Sequence, residues 1–206
     1  MNDPIFSAAS YLERVCTEII HLSEEVSSAF AKDGFDISDH DHNLIADNQN
    51  SGLRYGFSYF LKRIYRGQRR DAQLVLQWDL WRPDGPSTWP HRNTALLLVA
   101  YDAVLSDGWN ADLLSIRNTG QLEDADARAM IERRCNDRLL LWERQGGDTE
   151  YARHAWLFGV PLGEIHDLAD ARRMIMDPVR ALLRTPEDAA TSLQTANAVA
   201  WAAPET

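Results

Sequence analysis

Apolar and polar positions alternate with a period of two through Leu53, Tyr55, Phe57, Tyr59 and Leu61, with Arg54, Gly56, Ser58 and Lys62 between them. That period predicts a strand with one dry side and one wet side, disturbed only by Phe60 and Ile64. A turn-forming run, Gly67-Gln68-Arg69-Arg70-Asp71, follows. The alternation then resumes with Ala72, Leu74, Leu76, Trp78 and Leu80 on one face against Gln73, Gln77 and Asp79 on the other, which reads as a hairpin. The next segment, Ala95 to Tyr101, is apolar on both faces and suits a strand covered from two sides.

The period changes on either side of this sheet. Ile5, Ala8, Leu12, Cys16, Ile19, Val26 and Phe30 fall on a helical stripe from the Asp3-Pro4 start to about Lys32, stopped by Gly34. Glu13, Glu18, Glu24 and Glu25 lie between the stripe positions, so this helix is expected to have a dry face on the sheet and an acidic face outward. A short helix is expected from Asn110 to about Asn118. Ala127, Ile131, Cys135, Leu139 and Trp142 predict another from about Glu123 to Arg144, although Leu139 to Trp142 also fits a strand paired with His154 to Phe158. A helix start is expected at Asp167, and a break or kink at Asp177-Pro178. The fold class is α+β: a small, mainly antiparallel sheet over residues 53–105, packed against a long N-terminal helix and C-terminal helices. Residues 1–185 form a single domain in this reading, and the Ala-rich residues 186–206 are a docked helix or a tail.

The 206 residues are 45% hydrophobic and 25% charged, which excludes a disordered chain. The net charge of -10 is uneven: residues 1–50 hold ten acidic and two basic side chains, whereas residues 51–100 hold three and eight. An acidic balance points away from nucleic acid and anionic membranes and toward a basic protein partner, with only a local site for small anions. No signal-like segment and no apolar run long enough to cross a bilayer is visible, and Cys16 and Cys135 read as buried free thiols, so the expected location is the cytoplasm.

Four groups could carry function. Glu18, Glu24 and Glu25, with Trp81, Trp89 and Trp109 as aromatic anchors, form the candidate partner-binding set. Arg63, Arg66, Arg69 and Arg70 crowd the hairpin tip and could hold an anion. Asp39, His40, Asp41 and His42, between Asp36 and Asp47, alternate oxygen and imidazole ligands suited to a divalent metal. Asp79 and Asp102 could pair as carboxylates, but solvated positions are the simpler account. No serine elbow, phosphate-cradling glycine loop, dinucleotide fingerprint or paired-cysteine zinc motif is present, and no cofactor is implied. The leading expectation is therefore a non-enzymatic acidic binding protein, such as an inhibitor or immunity protein for a basic toxin. The alternatives are a metal-dependent hydrolase or phosphoesterase built on residues 36–47, and a small-ligand module with a pocket between the first helix and the sheet.

Overall fold

A computed structural model of the chain describes residues 3–36, 43–47, 52–65, 68–81, 91, 94–102, 132–143 and 154–201. In β2, β3 and the outer parts of β4, defined below, it describes the backbone path alone. Helix α1 spans Pro4–Lys32. Asp3 caps it, its carboxylate accepting from the Ile5 backbone N–H at 2.8 Å, and Pro4 fills the first turn, where no amide hydrogen is needed. Gly34, at φ 94°, takes the left-handed conformation that ends the helix.

The strands are β1 (Phe35–Asp36), β2 (Asn43–Asp47), β3 (Gly52–Tyr65), β4 (Gln68–Trp81), β5 (Leu96–Asp102), β6 (Glu132–Arg134), β7 (Leu139–Glu143) and β8 (His154–Pro161). They form one antiparallel sheet in the order β1, β3, β4, β5, β8, β7, β6, with β2 also pairing β3. The α+β architecture is as expected, but the sheet reaches well beyond residues 53–105. The hairpin also pairs further out than the turn chemistry suggested. Lys62 opposes Asp71 and Tyr65 opposes Gln68, so Gln68 to Asp71 belong to β4.

The helix expected from Glu123 to Arg144 is corrected where the chain is described. Residues 132–143 form the β6–β7 hairpin, with Arg134 opposite Leu139. Cys135, Asn136 and Asp137 turn it with φ of 56°, 60° and 61°. Asn and Asp tolerate this left-handed region better than most residues, and their turn preference outweighed a four-residue apolar spacing that also suits a helix. Cys135 accordingly lies in a turn and not on a helix face. The expected helix over 110–118 lies outside the described residues.

After β8 the chain forms α2 (Leu168–Ala171), a π-helical turn over Arg172–Met176, α3 (Asp177–Leu182) and α4 (Ala189–Thr195). Asp167 caps α2 as expected, accepting from Asp170 N–H at 2.8 Å. Pro178 does not break the run. It has no N–H to give, and its ring crowds the carbonyl four residues back; the widened π turn immediately before it, in which the Asp177 N–H reaches Arg172 O, fits such a residue into a continuous helical segment.

The core has two layers. On one face of the sheet, Leu74, Leu76, Trp78, Leu97, Val99, Tyr101, Leu141, Trp156 and Phe158 pack with Ile19, Val26 and Phe30 of α1 and with Met174, Val179 and Leu193 of the C-terminal helices. Tyr101 and Trp156, opposite one another on β5 and β8, stack with ring centres 5.3 Å apart. On the other face, Val75, Leu96, Leu98, Ala100, Leu140 and Leu157 pack with Val199 and Trp201. The segment after α4 reaches this second face as an extended strap. Val199 N–H donates to Gly159 O at 2.8 Å, and Trp201 donates through its backbone N–H to Asp137 O at 3.0 Å and through its indole to Arg138 O at 3.2 Å. The Arg138 guanidinium in turn donates to Ala198 O. Glycine at 159 lets the strap approach closely, since a Cβ there would lie 3.2 Å from the Leu98 side chain and 3.3 Å from that of Val199.

Candidate functional site

Helix α1 is held to the body by one end. Ile19, Val26 and Phe30 are buried, and the narrow side chains of Ser23 and Ser27 are buried between them. Each serine returns its hydroxyl to the carbonyl one turn back, at 2.6 Å, so both buried hydroxyls are met. At the helix end, Arg180 of α3 grips Asp33 with both Nε and Nη2 at 2.8 Å from one carboxylate oxygen. This pairing also offsets the unfavourable placement of a carboxylate at the negative end of a helix dipole.

The opposite, outward side of α1 is charged. Glu13, Glu18, Glu24 and Glu25 are all exposed, against Arg14 and Lys32 on the same helix. Local contacts leave this surface open to solvent. Arg14 lies 5.9 Å above the Tyr11 ring, and His21 is 3.8 Å from Glu24, with both of the latter side chains mostly exposed. Three of the expected partner-binding residues, Glu18, Glu24 and Glu25, thus share one accessible helix. Of their proposed aromatic companions, Trp89 and Trp109 lie outside the described residues, and Trp81 is placed by its backbone, at the end of β4 opposite Leu53.

The candidate anion-binding arginines are set by strand register. Arg63 and Arg70 are directly opposed across β3 and β4, Arg69 opposes Ile64, and Arg66 lies outside the described residues. Directly opposed like charges disfavour a strand pair. Asp39, His40, Asp41 and His42, the candidate metal ligands, lie outside the described residues. Among the described residues no group of three or more His, Cys, Asp or Glu side chains is placed to hold a metal.

The sheet separates Asp79 from Asp102. Asp102 opposes Gln73 and Asp79 opposes Leu96, six positions apart along β4 and so about 20 Å away. They form no carboxylate pair. The solvated reading of Asp79 is also overturned: it is 1% exposed, and the Gln77 amide, itself 2% exposed, donates to it at 3.0 Å. An alternating pattern shows which face is polar but not whether a further layer covers that face. His91 is held below its ordinary value of 6.5, first by burial and then by the positive charge of Arg138.

The polar cluster near the start of α2 is structural. Glu164 accepts two bonds from the Asn197 amide, at 2.8 and 2.9 Å. Asp170 accepts from Arg173 at 2.7 Å and from His166 N–H at 3.2 Å. The Arg173 bond, more than the His166 bond, holds the Asp170 carboxyl below the usual carboxylate range. Arg173 also donates to Thr195 O at 2.7 Å, so the cluster fastens the helices together. Neither Cys16 nor Cys135 is disulfide-bonded, and both are half-buried. Among the described residues no helix is long and apolar enough to cross a membrane.

The site that the structure places best is thus the free side of α1, a long arm anchored at its C-terminal half. Comparison with known proteins adds nothing to this placement, since the chain matches no family model, no curated protein and no solved structure.

Proposed function

We propose that this chain is a non-enzymatic protein-binding domain that meets a basic protein surface through the outward face of α1, as an inhibitor or immunity protein acting on a basic toxin would. The observation that carries this reading is the exposure of Glu13, Glu18, Glu24 and Glu25 along a single helix braced against the body by its other side. A rigid helix holds these carboxylates in fixed spacing, so a partner's arginines and lysines meet them at little cost in backbone order. Such rim charges act mainly on the rate of encounter and on partner choice. A cytoplasmic setting suits this role.

Capture from a lysate of the native host tests the reading. The full chain is expected to retain a basic protein at low salt and to release it as ionic strength rises. The triple variant Glu18→Lys, Glu24→Lys, Glu25→Lys is expected to keep its fold, since all three side chains are exposed, and to bind that protein about tenfold more weakly or worse. Equal retention by both chains, or no specific protein retained by either at low salt, overturns the proposal.

A further inference from the structure

The first half of α1 continues the apolar stripe of the second half, but beyond Val15, which packs on the core, the described residues leave its first turns largely open. Ile5 is 78% exposed, Phe6 71% and Tyr11 63%. Ala8 and Ala9 are exposed, and Leu12 and Cys16 are half-buried. At about 100° per residue, Ile5, Ala9, Leu12 and Cys16 lie in line with the positions that bury Ile19, Ser23, Val26 and Phe30 further along.

Side-chain size along this open stripe alternates: Ile5 is bulky, Ala9 small, Leu12 bulky and Cys16 small. Read in the reverse direction, the same positions give small, bulky, small, bulky. Two such helices lying antiparallel about a two-fold axis between Ser10 and Tyr11 set Ile5 against Cys16 and Ala9 against Leu12, in each case a bulky side chain opposite a small one. A two-fold contact requires a surface that matches itself, and close packing requires this complementarity of size. Phe6 and Tyr11 project on either flank of the stripe, where each ring, with on the order of 150 Å² of surface, would cover one edge of the seam.

We propose that the first half of α1 is a dimerisation surface whose occupant is the same segment of a second copy, antiparallel, in the register that places Ile5 beside Cys16 of the other chain. The glutamates of the outward face lie off this stripe, so the contact stands whether or not a basic partner is found. A contact of one helix stripe on another is small, so the dimer is expected to form with rising concentration rather than to be obligate.

Register-specific crosslinking tests it. Within one helix, residues 5 and 16 are about 16 Å apart, too far for a disulfide. Under mild oxidation, Ile5→Cys in the full chain, which retains Cys16, is therefore expected to give a covalent dimer, whereas the wild type and Ile5→Cys with Cys16→Ser are expected to give none. Sedimentation should show a dimer for the wild type in the range of tens to hundreds of micromolar, and a monomer with an unchanged unfolding midpoint for Phe6→Asp. A wild type that stays monomeric over that range overturns the proposal. So does a dimer in which the thiol introduced at position 5 does not join Cys16, or in which the chain that also carries Cys16→Ser crosslinks as well.

Discussion

The two halves of α1 carry the same amphipathic spacing and meet opposite fates. In the second half the stripe ends in Phe30, fully buried against the sheet and in contact with the Phe35 ring at 5.3 Å between centres. In the first half the equivalent stripe begins with Ile5, which stands in solvent, and Phe6 beside it is exposed as well. The pattern reports which side of a helix avoids water; it does not report whether the chain itself supplies the cover. Where cover is missing, an apolar face on an ordered helix is a place for another molecule.

Truncations along the helix sharpen this contrast when stability is read from urea unfolding at concentrations low enough to keep copies apart. The largest effect is expected at Phe30→Ala, which leaves a cavity under the helix and costs about 3–5 kcal/mol. Asp33→Ala, which releases Arg180, is expected to cost no more than about 1 kcal/mol, because both side chains are about a third exposed and water screens the pair. Phe6→Ser, for all its lost apolar surface, is expected to change stability by less than about 0.5 kcal/mol. A loss at Phe6 comparable to that at Phe30 would break the contrast, since it would mean that the first half is covered by the body after all.

Much of this architecture was legible from residue order. The Asp3-Pro4 start, the Gly34 stop and the stripe between them define α1 to within a residue or two, because capping and periodicity act locally. The central hairpin and the two-sided apolar strand β5 were legible for the same reason. The missed features depend on contacts that periodicity alone does not report. Ser23 and Ser27 are core residues of α1, yet a polar side chain reads as outward unless its hydroxyl can be assigned to a carbonyl one turn away. Gln77 and Asp79 read as a wet face because nothing nearby in sequence announces the Val199-to-Trp201 strap that packs on that side of the sheet. The Asn136-Asp137 pair was an available signal for the β6–β7 turn; the apolar spacing of Ile131, Cys135 and Leu139 competed with it. As for the site, the acidic positions of α1 were readable, whereas the openness of Ile5 and Phe6 follows only from where the body stops.

The strap also has a consequence for how the molecule is made. Val199 and Trp201 close over Leu98, Leu140 and Leu157, strands synthesised roughly 40 to 100 positions earlier. Until Trp201 leaves the ribosome, Leu98, Leu140 and Leu157 lack the two strap residues that complete their buried cluster, and a chaperone could hold that greasy panel in the interval.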